Sequence, residues 1–157
     1  IAVTIAYFFF TDKKGYYQLT AFLFTGMTIF LIICTIFPNE LNLRPHTFAN
    51  DTVFTRLVQQ LYSTDTPTNV LPSIHVFNSL TCCMAILQNK RKHFKKTTDI
   101  AVVILTILII MSTMLLKQHS VVDVALAILM YTACYRIVYG KEVWKQDAFC
   151  SFLFINR

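Results

Sequence analysis

Charge is missing from this chain over distances that matter, and glycine and proline are scarce throughout. Only three glycines and four prolines occur in 157 residues, whereas 55% of the residues are apolar and the mean hydropathy is clearly positive. A soluble domain of this size would not carry so much greasy surface. Charge is absent or nearly absent from residues 17–37, 71–88, 100–116 and 120–139. Each stretch is close to the roughly 20 helical residues that cross about 30 Å of hydrocarbon. All four are expected to be membrane helices, because a helix satisfies its own backbone polar groups in lipid without having to close a barrel.

Other absences narrow the function. There is no Cys-x-x-Cys or Cys/His ligand spacing among Cys34, Cys82, Cys83, Cys134 and Cys150, which reads as small apolar filler and as no metal site. No internal repeat or low-complexity tract is visible, so residues 1–157 read as one membrane domain. There is no initiating methionine, and the apolar run 1–10 is too short to span. It reads as the end of a helix whose beginning is missing, with the chain truncated at its N-terminus.

The basic residues that give the formal charge of +6 are clustered. Lys13 and Lys14 fall in one short turn, and Lys90, Arg91, Lys92, Lys95 and Lys96 in another, with only Phe94 as an aromatic among them. A nucleic-acid site would interleave aromatics with the basic stretch, so no nucleic-acid partner is expected. Between membrane spans these clusters follow the positive-inside rule and place both turns in the cytoplasm. Residues 38–70 then form an extracytoplasmic loop, and the tail carrying Lys141 and Lys145 returns inside. Within that loop Val53, Phe54, Leu57, Val58 and Leu61 recur at helical spacing, with Thr52, Arg56, Gln59 and Gln60 opposite. The pattern predicts a short amphipathic helix, lying on the membrane interface or packed on the rim of the bundle.

This topology gathers Arg44, His46, Ser73, His75, Lys117, His119 and Asp123 at the outer helix ends, and leaves His93 as a solvated turn residue inside. His119 and Asp123 are four apart and are expected to share a helix face. Asp123, read as lying within an apolar span, needs a partner there. A carboxylate bonded to one imidazole nitrogen makes the other a better nucleophile or base; the plainer reading is a structural pair gluing helices. Pro72 suits a first helical turn. The N–H groups after it, with the Ser73 hydroxyl, would make an anion site, although Ser73 could equally be a simple cap. His75 could protonate a departing alkoxide, and Arg44 suits bidentate phosphate binding.

Taken in order, Arg44-Pro45, Pro72-Ser73-Ile74-His75, and Ser112 with His119 seven residues on and Asp123 four beyond that, the pattern resembles the type 2 phosphatidic acid phosphatase superfamily, which includes the vanadium haloperoxidases. That family's motifs run Lys, six residues, Arg-Pro; Pro-Ser-Gly-His; and Ser-Arg, five residues, His, three residues, Asp. The resemblance covers residues 37–139. It implies an all-α, polytopic membrane helical bundle, with five segments present of a six-helix core. It also implies attack by His119 on phosphorus to give a phosphohistidine, with Asp123 holding the ring and His75 as general acid. Arg44, Ser73 and the Ile74 N–H would hold the phosphate, with no metal and no cofactor. Phe37 and Thr113 stand where the family has a lysine and an arginine, and Ile74 where it has glycine. Lys117, four residues beyond Thr113, is expected on the same helix face as a substitute cation.

The function expected from the resemblance is a lipid phosphate phosphatase, for a substrate such as phosphatidic acid, phosphatidylglycerol phosphate or a polyprenyl diphosphate. The short loops point to a bacterial plasma membrane, with the site on the extracytoplasmic face. The alternatives are a lipid head-group phosphotransferase of the same superfamily and a catalytically degenerate lipid-binding membrane protein.

Overall fold

The computed structural model describes residues 1–40, 42–45, 48, 51–65, 67–88 and 96–139. His46, His93, Cys150, Lys141, Lys145 and most of the second basic turn lie outside them. Among the described residues the fold is all-helical, with six helices in the order α1 (Ala2–Thr11), α2 (Lys13–Ile36), α3 (Val53–Thr64), α4 (Ile74–Gln88), α5 (Lys96–Leu115) and α6 (Val121–Tyr139). Three of them, α2, α5 and α6, are long and apolar enough to cross a membrane. Their apolar side chains are not confined to one stripe, and Ile104, Leu105, Ile107, Leu108 and Met111 of α5 are largely exposed. A helix that is apolar all round and still uncovered suits lipid, since in water such a patch would be a large unsatisfied surface.

The expected span 71–88 is corrected. Residues 71–73 are not helical and the Leu71–Pro72 peptide is cis, so α4 has 15 residues and a length of roughly 22 Å at 1.5 Å per residue. Pro72 therefore precedes the helix rather than sitting in its first turn. This short helix is the hub, packing on α2, α5 and α6. Phe77 of α4 stacks on Phe22 of α2 with ring centroids 5.4 Å apart, and Met130, Tyr131 and Cys134 of α6 complete that cluster. Beside it Val76 meets Val124 and Ala127, with Ile110 and Met114 of α5 against them.

Gly26 makes the α2–α4 approach possible, because a Cβ there would come within 2.1 Å of the Phe77 ring. Asp12 is the joint between α1 and α2: its N–H donates to Phe8 O and its carbonyl accepts from Tyr16 N. The amphipathic helix expected in the long loop is present as α3, capped by Thr52, whose hydroxyl accepts from Thr55 N. Its Val53, Phe54 and Leu57 are exposed.

The long loop is pinched shut at its base. Asn39 Oδ1 accepts from Val70 N and Leu71 N at 2.9 and 3.1 Å, while the Asn39 carbonyl accepts from Asn69 N. A single antiparallel bridge joins Glu40 and Thr68 next to it. The C-terminus of α2, the N-termini of α4 and α6 and the C-terminus of α5 are thereby held at one end of the bundle. Replacing Gly26 with alanine should cost about 1–3 kcal/mol through overpacking against Phe77, read as a lower thermal midpoint of the detergent-solubilised chain; an unchanged midpoint would contradict the packing described here.

Candidate functional site

The polar end of the bundle is organised by how α5 stops and α6 starts. After Leu115 the chain closes α5 with paired reversed hydrogen bonds, Gln118 N to Thr113 O at 3.0 Å and Lys117 N to Met114 O at 3.0 Å. This motif requires a left-handed residue between them, normally glycine, and here Lys117 takes that place with φ 51°. The expectation that Lys117 continues the Thr113 face of a helix is corrected, because the helix has ended and Lys117 projects from the turn, exposed. Thr113 still matters to the site: its carbonyl also accepts from His119 N at 3.3 Å, so one oxygen fixes both Gln118 and His119.

Two residues later α6 begins with a reciprocal cap. Ser120 N donates to Asp123 Oδ2 at 2.7 Å and Asp123 N donates to Ser120 Oγ at 3.3 Å, an arrangement that satisfies two orphan donors of a helix start. Asp123 is thus in the first turn of α6 and not deep in an apolar span, and His119 lies just before the helix rather than on it. The pair nonetheless meets, with His119 Nδ1 3.7 Å from Asp123 Oδ2 and both side chains almost fully buried. That separation is an ion-pair distance and is too long for a hydrogen bond; among the described residues Nδ1 has no hydrogen-bond partner.

His75, in the first turn of α4, meets His119 edge to face, with ring centroids 5.7 Å apart and planes inclined at 62°. The two helices are registered directly: Ser73 N donates to the Asp123 carbonyl at 3.2 Å. Ser73 is fully buried and is the N-cap of α4, its Oγ accepting from Val76 N at 3.4 Å and its carbonyl from Phe77 N at 3.1 Å. Ile74 opens α4, and its N–H belongs to the group of first-turn donors that no intrahelical carbonyl can reach. The structure therefore brings Ser73, Ile74, His75, His119 and Asp123 together.

Arg44 is placed differently from the expectation. Its guanidinium donates from Nη2 to Asp65 Oδ2 at 2.8 Å, and from Nη1 to the carbonyls of Asp65 and Tyr62, and it lies 4.8 Å from the Tyr62 ring centre. Gln118 Nε2 reaches the same Asp65 oxygen at 3.1 Å, and Tyr62 OH donates to Leu116 O at 2.8 Å. Asp65, Gln118 and Tyr62 were not among the expected site residues. Gln118 adjoins His119 in sequence, which is the one signal that could have raised it.

The 116–120 turn lies outside the membrane-spanning helices, and burial there pushes the His119 imidazolium below its ordinary pKa of 6.5. His75 beside it acts in the same direction, and Asp123, Asp65 and the Val70 carbonyl pull the other way without winning. A histidine held neutral in a site is available as a nucleophile or ligand. Because the unfolded chain takes up this proton more readily than the folded one, the stability due to His119 is complete above pH 6.5 and is lost as the pH falls from there through the folded-state value. His119→Gln should remove that part of the acid sensitivity, seen in thermal midpoints measured across the range; an identical pH dependence in both proteins would refute it. Lys117→Gly should stabilise the turn by roughly 1–2 kcal/mol, the cost of a left-handed non-glycine residue, again read from the thermal midpoint. The chain matches no family model, no curated protein and no solved structure.

Proposed function

We propose that this chain is a lipid phosphate phosphatase working through a phosphohistidine on His119. One observation carries the reading: two imidazoles from separate parts of the chain stand 5.7 Å apart, centroid to centroid, with a buried carboxylate behind one of them. A nucleophile beside an acid is the pairing that phosphoryl transfer to a leaving group requires, and a phosphate enters between them only as the two rings, in edge-to-face contact, move apart.

In the first step the His119 nitrogen turned away from Asp123 bonds to phosphorus. The bond from phosphorus to the lipid oxygen breaks, and His75 delivers its proton to that oxygen. Asp123 stabilises the cationic ring that results. In the second step His75, now neutral, takes a proton from water, the water oxygen attacks the phosphohistidine, and inorganic phosphate leaves as His119 is regenerated. Arg44, Ser73, the Ile74 N–H and the exposed Lys117 are the candidate donors to the phosphate oxygens. Such preorganised donors are usually the largest electrostatic term in catalysis.

The substrate class is supported by where the pair sits, at one end of three apolar helices, with the amphipathic α3 tied to the adjoining turn through Tyr62 and Leu116. Phosphatidic acid, phosphatidylglycerol phosphate and polyprenyl diphosphates all place a phosphate at that depth. Lys13 and Lys14, expected in a turn, open α2 at the opposite end, which by the positive-inside rule supports a site on the extracytoplasmic face, and the short loops favour a bacterial plasma membrane.

Purified protein in mixed micelles should release phosphate from one of these lipids. His119→Ala should lower the rate by more than roughly a thousandfold, as loss of a covalent nucleophile does, and His75→Ala by about a hundred- to ten-thousandfold. Phosphate release by His119→Ala at the wild-type rate would end the assignment.

A further inference from the structure

Arg44 and Gln118 come from segments far apart in the chain, one following α2 and the other in the turn between α5 and α6, and both donate to a single oxygen. That oxygen is Asp65 Oδ2, 2.8 Å from Arg44 Nη2 and 3.1 Å from Gln118 Nε2. The donors are the fixed half of the contact. Gln118 is held by its own N–H on the Thr113 carbonyl and is nearly buried, and the Arg44 side chain is 12% exposed. The carboxylate is the loose half, 41% exposed and carried one residue beyond the end of α3. A cationic fork plus an amide N–H converging on one anionic oxygen suits a phosphoryl oxygen as well as it suits a carboxylate. The clasp also adjoins the paired imidazoles, since Gln118 precedes His119 and Asp65 is close enough to act on the His119 ring electrostatically.

We propose that Arg44 and Gln118 form a clasp for the phosphate of a monoester, and that Asp65 is its built-in occupant, displaced when phosphate binds. The choice of anion rests on the phosphatase reading above. A phosphate dianion carries more charge than a carboxylate and offers more acceptor oxygens, so it replaces Asp65 with a gain that the two donors feel directly. Gln118 then supplies a phosphate donor in a site where Phe37 and Thr113 provide no cation. Displacement also removes one of the ties at the C-terminal end of α3, leaving Tyr62 OH on the Leu116 carbonyl and Arg44 Nη1 on the Tyr62 and Asp65 carbonyls.

The full chain in detergent, titrated with inorganic phosphate and separately assayed on phosphatidic acid in mixed micelles, tests this. Asp65→Asn should bind inorganic phosphate about tenfold more tightly, equivalent to about 1.4 kcal/mol, and should lower KM for phosphatidic acid by a similar factor. Gln118→Met introduced into Asp65→Asn should give most of that gain back. An Asp65→Asn protein with unchanged or weaker phosphate affinity overturns the proposal, and a gain confined to inorganic phosphate overturns the substrate assignment. The wild-type protein gives an answer that needs no variant to fold: saturating phosphate should speed amide exchange in the last turn of α3, next to Asp65, and unchanged or slower exchange there overturns displacement. Failure of the phosphatase reading looks different, with phosphate binding tightened in Asp65→Asn while no variant, nor the wild type, releases phosphate from lipid.

Discussion

Asp123 holds the polar end of this bundle together. Its carboxylate caps the first turn of α6 through Ser120 N, its carbonyl receives the N–H of Ser73 and so sets the start of α4 against the start of α6, and the same carboxylate stands 3.7 Å from His119. One buried residue thus fixes two helix origins and faces the imidazole between them. The two hydrogen bonds each satisfy a group that burial would otherwise leave unpaired at real cost. The distance between the two histidine rings is a by-product of that economy, since His75 lies two residues after Ser73 and His119 four before Asp123.

The apolar framework was readable because membrane helices announce themselves by the absence of charge over a fixed length. The starts and ends of α2, α5 and α6 fall close to the uncharged stretches for that reason, and α3 was visible from the spacing of Val53, Phe54, Leu57, Val58 and Leu61. The start of α4 was less legible. Pro72 fits the first turn of a helix and the position before it almost equally well, and nothing local reveals that the helix waits until Ile74. Lys117 is a second case: a left-handed residue is signalled by glycine or asparagine, and a lysine there gives no cue.

Long-range polar pairing leaves no periodic trace at all, which is why the Arg44–Asp65–Gln118 contact was out of reach. Arg44 was recognisable as an anion-binding type, but its meeting with Asp65 and Gln118 depends on how the end of α3 is set against the 116–120 turn. His75 and His119, by contrast, could be placed at the same end from topology alone. Both sit where an uncharged stretch meets a polar one, and alternation of direction along the chain does the rest. The same reasoning got the neighbourhood of Asp123 right and its depth wrong, because a carboxylate three residues after a serine is as much a capping signal as a charge in an apolar run.

The turn between α5 and α6 is closed at both sides, by the Thr113 carbonyl taking two successive N–H groups and by the reciprocal Ser120 and Asp123 bonds. Its five residues have no slack. Sequence length here is therefore a geometric parameter: one residue more or less would swing the imidazole of His119 around the axis of α6 and out of register with α4, even with every side chain in the site retained.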